Sequence, residues 1–157
     1  VCVSLPPSPP LVAHPSLEVS ADMLFGGKVT AQSAADWALR TEGLPLIYSS
    51  ADPQVVAAAQ DTYGREESAD RFEQFFAEVA RILTANGISK LLTAGGETSG
   101  AVVEGLSLKQ LEIGPEIDPG VPALRAGEGL VLALKSGNFG SVDYFEKAAR
   151  VLDGATR

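Results

Sequence analysis

Three stretches of this chain repeat one plan: a short apolar run of strand length, a loop of small residues, then a helix-forming segment. Residues 44–48 lead into a loop at 49–53 and a helix over about 54–61. Residues 88–94 lead into the loop 95–100 and a helix over 101–106, and residues 130–135 into the loop 136–141 and a helix over 142–152. Strands alternating with helices predict an α/β fold, a layered sandwich with a largely parallel sheet and helices on both faces. In a parallel sheet the three loops emerge at one carboxyl edge, where open α/β sheets bind ligands.

The remaining segments fit around this plan. Phe72, Phe75, Phe76, Val79, Ile82 and Leu83 recur at spacings of three and four, which predicts a core-packing helix over 69–86 with Ser68 as its cap and Gly87 as its stop. A helix from Thr30 to about Glu42, ended by Gly43, follows the same logic. Residues 108–114 read as a strand. Residues 116–129 hold Pro119, Gly120, Pro122, Gly127 and Gly129, and are expected to be mostly irregular. Pro6, Pro7, Pro9, Pro10 and Pro15 make a helix improbable in residues 1–16. That stretch is expected to be a proline-rich linker or truncated start, with residues 17–157 as the domain.

Composition narrows the function classes. The chain has 157 residues, 45% of them apolar and 20% charged, enough for one domain with its own core. Its net charge of −8 argues against nucleic acid or an anionic membrane as partner, since both call for a basic footprint. No apolar run approaches the ~20 residues of a membrane span, no secretory signal is evident, and a cytoplasmic location is expected. Cys2 is the one cysteine and His14 the one histidine, so a Cys/His zinc site or a His-based triad is excluded.

The chemistry concentrates in two loops. In Gly95-Gly96-Glu97-Thr98-Ser99-Gly100 the glycines let the backbone approach a ligand, the following helix offers unpaired N–H groups, and Thr98 and Ser99 add hydroxyls. The motif is neither a Walker A loop, since Ala101 and Val102 stand where Lys and Ser/Thr would, nor a G-x-G-x-x-G fingerprint. On local chemistry, anion binding and a plain connecting turn stand about level. Glu97 either favours the helix N-terminus by its charge or holds Mg²⁺ through water. In Lys135-Ser136-Gly137-Asn138-Phe139-Gly140, Lys135 could neutralise phosphate and Gly137 approach it, or the loop is a tight turn with Lys135 solvated. Glu116 and Asp118 flank Ile117 ahead of a Pro-Gly turn, and read as solvated acids of a structural turn more readily than as metal ligands.

Four strings occur in order: YSSAD at 48–52, AGGETSG at 94–100, IGPEIDPGVP at 113–122 and LALKSGNFG at 132–140. Together they closely resemble the C-terminal nucleotide-binding domain of the four-carbon acid sugar kinase family, the threonate, erythronate and 3-oxo-tetronate kinases, over about residues 17–152. The resemblance implies ATP and Mg²⁺ as cofactors and phosphorylation of a hydroxyl on a four-carbon sugar acid. It implies nucleotide contacts at Gly95, Gly96, Glu97, Thr98, Ser99, Gly100 and Gly137. In that family the sugar acid and its catalytic base belong to an N-terminal domain, which is the expected partner of this one and has no counterpart in the sequence. The chain alone is therefore expected to be incomplete as an enzyme. The competing expectation is a non-catalytic nucleotide-binding or assembly module derived from such a kinase. The family enters this domain through a strand and a Ser-rich loop, whereas here Val1-Cys2-Val3-Ser4 runs into prolines, so no binding role carries over to Cys2 or Ser4.

Overall fold

The computed structural model describes residues 2–4, 14–49, 53–127, 129–136 and 143–155. Within them the strands are β1 (Cys2–Ser4), β2 (Ser16–Val19), β3 (Leu46–Ser49), β4 (Lys90–Ala94), β5 (Glu112–Asp118), β6 (Val121–Ala126) and β7 (Leu130–Lys135). The helices are α1 (Ala21–Phe25), α2 (Ala31–Arg40), α3 (Pro53–Tyr63), α4 (Arg65–Ala85), α5 (Gly96–Gly105) and α6 (Tyr144–Ala155). The strands form one sheet in the order β2-β3-β1-β4-β7-β6-β5.

The sheet is mixed, where the sequence suggested a largely parallel one. From β2 to β7 the neighbours run parallel, but β6 is antiparallel to both β7 and β5. The difference comes from residues 112–126, expected as a short strand followed by irregular chain. They fold as a hairpin whose turn is Pro119-Gly120, with Gly120 at φ 78°. Register shifts between Ile113 and Asp118 absorb the prolines: β5 lies at the sheet edge, where Pro115 costs no ladder bond, and Pro122 pairs with Glu116 at an irregularity.

Strand side chains alternate between two apolar layers. Ile47, Leu91 and Leu132 face α2, α4 and α5, and pack with Ala34, Ala35, Phe75, Phe76, Val79, Leu83 and Val102. Leu46, Leu92, Val131 and Ala133 face α6, and pack with Tyr144, Phe145, Ala148 and Leu152. Helices thus cover both faces. The α4 side chains match the expected periodicity, and each fully buried aliphatic or Phe side chain there contributes about 1.5–3 kcal/mol.

Helix boundaries shift from the sequence reading at two informative places. Thr30 caps α2 as expected, receiving the Ser33 N–H at 3.1 Å while Ser33 Oγ accepts from the Thr30 N–H at 3.0 Å. Helix α4, however, begins at Arg65, and Ser68 lies inside its first turns, not at its cap. Gly64 takes the cap position with φ 88°, a conformation that favours glycine. The second shift is in α5. Gly96, Glu97, Thr98, Ser99 and Gly100 are not a loop but its first turns. The proline-rich start also holds a surprise, because residues 2–4 form β1 in the middle of the sheet, between β3 and β4.

Candidate functional site

The site is built at the carboxyl end of β4. The Gly95 N–H donates to the Lys135 carbonyl at 2.8 Å, which continues the β4–β7 ladder by one residue. The chain then turns sharply: Gly95 stands at φ 120°, strained for any residue with a Cβ, and α5 starts immediately. The first bonded amide of the helix is Ser99 N–H, to the Gly95 carbonyl at 2.9 Å. Helix geometry leaves the N–H groups of Gly96, Glu97 and Thr98 without an intrahelical acceptor, and the cap residue, Gly95, has no side chain to supply one. A Cβ added at Gly96 or at Gly100 would meet nothing within 4 Å. Neither glycine is hemmed in on its side-chain side.

The hydroxyls behave differently from the amides. Ser99 is buried, and its Oγ lies 2.7 Å from the Thr93 Oγ1 in the core. Thr98 is buried as well, while Glu97 is exposed in the first turn of α5, where its charge favours the helix dipole. Gly95, Gly96, Glu97 and Thr98 form one end of a cavity of about 620 Å³, bounded elsewhere by the ends of β2 and β3 and by α3 and α4. That volume suits a small-molecule ligand.

The second expected loop is only partly in view. Gly137 lies outside the described residues. Lys135 is 8% exposed, so it is not the solvated lysine of a simple turn. It shares strand parity with Val131 and Ala133, which places it on the α6 side, with its ammonium 5.9 Å from the centre of the Tyr144 ring. Burial lowers its pKa below the ordinary lysine range, and the charge of Asp118 partly offsets this.

Nor is Asp118 a solvated acid. It is 6% exposed and accepts from Lys147 Nζ at 3.0 Å, which raises the Lys147 pKa. Glu116 accepts the Gly120 N–H at 2.8 Å and so closes the β5–β6 turn. Both carboxylates are engaged within the fold. His14, the one histidine, has its Nε2 3.3 Å from Glu146 Oε1. Among the described residues no group of three or more His, Cys, Asp or Glu could hold a metal ion, and no helix is long and apolar enough to cross a membrane.

Sequence reasoning missed the walls of the cavity. Val55, Val56, Gln60, Arg65, Ser68 and Phe72 line it, and none carried a motif. The signal available was the pair Val55 and Val56 on a helix whose surroundings are otherwise polar or small.

A layered α/β domain with a glycine-led helix N-terminus opening on a ligand-sized cavity at the carboxyl edge of its sheet belongs to the class of α/β domains that bind ligands at that edge. The sequence comparisons agree with that class. The chain belongs to the family of nucleotide-binding C-terminal domains, whose sequence profile matches residues 11–145. It is 54% identical to the 3-oxo-tetronate kinase of Burkholderia multivorans over 112 residues, 70% of this chain and 26% of that protein. The 3-oxo-tetronate kinase of Pseudomonas fluorescens is 42% identical over 143 residues, 90% of this chain and 33% of that protein. A crystal structure of a Haemophilus influenzae protein is similar at a TM-score of 0.83 and 31% identity, covering 100% of this chain and 40% of its own. The chain thus spans about a third of the length of the curated relatives it matches.

Proposed function

We propose that this chain binds the phosphates of ATP at the N-terminus of α5 and serves as the nucleotide-binding part of a kinase acting on a hydroxyl of a four-carbon sugar acid. The observation that carries the reading is the row of amides at Gly96, Glu97 and Thr98, which the start of the helix leaves without intrahelical acceptors at one end of a cavity. The kinship with 3-oxo-tetronate kinases supplies the acceptor class.

The chemistry asked of this part is positioning and charge stabilisation, since phosphoryl transfer depends on little else from the protein. The N–H groups of Gly96, Glu97 and Thr98 donate to phosphate oxygens, reinforced by the positive end of the α5 dipole. Gly95 makes the turn that aims them, and Gly96 and Gly100 keep the approach clear. Ser99, tied to Thr93, braces the helix from behind. Gly137 belongs to the second contact that the family resemblance implies. A magnesium ion arriving with the nucleotide would be held by Glu97 or Glu73, the carboxylates in the cavity wall, since Mg²⁺ is commonly held by one or two carboxylates together with phosphates. Bound there, the ion neutralises phosphate charge.

The test is calorimetric titration of ATP into the chain and into its Gly96→Val variant, with and without Mg²⁺. The wild type is expected to bind, and the variant to stay folded while losing at least about tenfold in affinity, because the valine methyls fill the space in front of the amides. Equal affinity in a folded Gly96→Val protein would place the phosphates elsewhere.

A further inference from the structure

The cavity is larger than its phosphate end requires. Away from α5 part of its wall is apolar: Val55 and Val56 of α3 are 45% and 37% exposed, unusual for large aliphatic side chains, and Phe72, which packs on the buried core, is half-buried. The wall also contains Ser68, which is 6% exposed. A helical serine ordinarily returns its hydroxyl to the carbonyl one turn back. Here the Gly64 carbonyl accepts the Ser68 backbone N–H at 3.1 Å, and the Ser68 hydroxyl has no partner among the described residues. A buried hydroxyl left unpaired destabilises the fold, and a polar edge that opens the wall over it would remove that cost. The far wall is held in place: at the end of α3 the Tyr63 ring stacks on Phe25 at 4.1 Å, and its hydroxyl donates to Asp22 at 2.8 Å.

We propose that the Val55, Val56 and Phe72 end of this cavity, with Ser68 in its wall, is the nucleobase subsite of the nucleotide whose phosphates dock at α5. The inference rests on the phosphate site described above. It assigns the two halves of one ligand to two chemically distinct halves of one cavity: charge to the helix amides, and the flat apolar base to the valines and the phenylalanine. The Ser68 hydroxyl bonds a polar edge of the base. Gln60 and Arg65 also line the cavity.

The experiment compares two probes, ATP and inorganic tripolyphosphate, on the wild-type chain and on Ser68→Ala and Val56→Asn. Tripolyphosphate presents the anion without the base. Each variant should weaken ATP about fivefold, the scale of one lost hydrogen bond or one lost apolar contact, and leave tripolyphosphate within about twofold. Ser68→Ala places a strong helix former inside a helix and deletes an unpaired hydroxyl, and Val56→Asn alters an exposed position, so both should fold. ATP and tripolyphosphate weakened equally would overturn the subsite, as would ATP unchanged in both variants; in the second case the phosphate site still stands. Wild-type chain that binds neither probe would overturn the phosphate site and the subsite together.

Discussion

The hydroxyls of Thr93 and Ser99 lie 2.7 Å apart in the core, joining the last turn of chain in β4 to the first turns of α5. Both residues are buried, so neither hydroxyl can fall back on water. The pair fixes the angle at which the uncapped helix end leaves the sheet.

Ser99→Ala alone should therefore destabilise the domain by about 1–3 kcal/mol, since it strands the Thr93 hydroxyl in the core. Adding Thr93→Val should recover part of that loss, because the pair is then removed together. A double-mutant cycle by urea denaturation measures the coupling. Strictly additive losses would show that the two hydroxyls do not depend on one another.

Glu97→Gln tests the two roles open to that side chain. It is exposed at the start of α5 and no hydrogen bond from it is seen among the described residues. If it acts on the helix end, the variant should change ATP affinity by less than about threefold, with the same dependence on Mg²⁺. Titration across magnesium concentrations decides the matter; loss of most of the metal-dependent affinity would assign Glu97 to the ion.

Gly105→Ala pits two effects against one another. Helix propensity favours alanine by up to about 1 kcal/mol. An added Cβ would, however, stand 2.7 Å from the Ala77 Cβ and 3.4 Å from its Cα, which forces α4 and α5 apart. Overpacking of this kind costs about 1–3 kcal/mol, so the variant is expected to be the less stable one. A higher midpoint in urea would mean the two helices separate more easily than their packing suggests.

Tyr144 sets an alkaline limit on stability. Burial, with a smaller contribution from the charge of Asp118, raises its phenol pKa well above the ordinary value, and its hydroxyl has no partner among the described residues. The unfolded chain releases this proton near pH 10 while the folded chain retains it. The folded state then binds more protons than the unfolded one, and stability falls as pH rises above about 10. Tyr144→Phe should remove that part of the decline and be neutral or slightly stabilising at pH 7, by up to about 1 kcal/mol. Denaturation midpoints for both proteins between pH 7 and 11 provide the check. Parallel curves would exclude Tyr144 as a source of the alkaline loss.

How much of this was legible in the sequence varied with how locally each element is determined. Helix α4 announced itself because Phe72, Phe75, Phe76, Val79, Ile82 and Leu83 carry the helical period within one segment. Its start was misread because Ser68 is a familiar capping residue, whereas the actual cap, Gly64, works by backbone conformation alone. A strand was read at 108–114, but the rest of β5 and all of β6 were hidden by Pro115 and Pro122, whose presence depends on an edge position and on register irregularities that only the partner strands define. Strand β1 was invisible for a stronger reason: three residues carry no period, and their pairing with β3 and β4 is wholly tertiary. For the site, the glycine string fell at one end of the cavity, although it is helix and not loop. The apolar half of the cavity draws on α3 and α4, whose side chains meet only in the folded chain.

The placement of β1 has a consequence for how the molecule comes together. In the sheet order β2-β3-β1-β4-β7-β6-β5, the first strand of the chain is the seam between two blocks, β2 with β3 on one side and β4 with β7, β6 and β5 on the other. The β5–β6–β7 meander joins neighbours in sequence and can zip up quickly from local turns. The seam waits for contacts between Val3 and both Tyr48 and Ala94, across about half the chain. Until it closes, each block presents a raw strand edge, β3 on one and β4 on the other, of the sort that recruits foreign strands. The domain is thus most vulnerable to mispairing late in assembly, and the same three residues that complete its sheet protect it from aggregation.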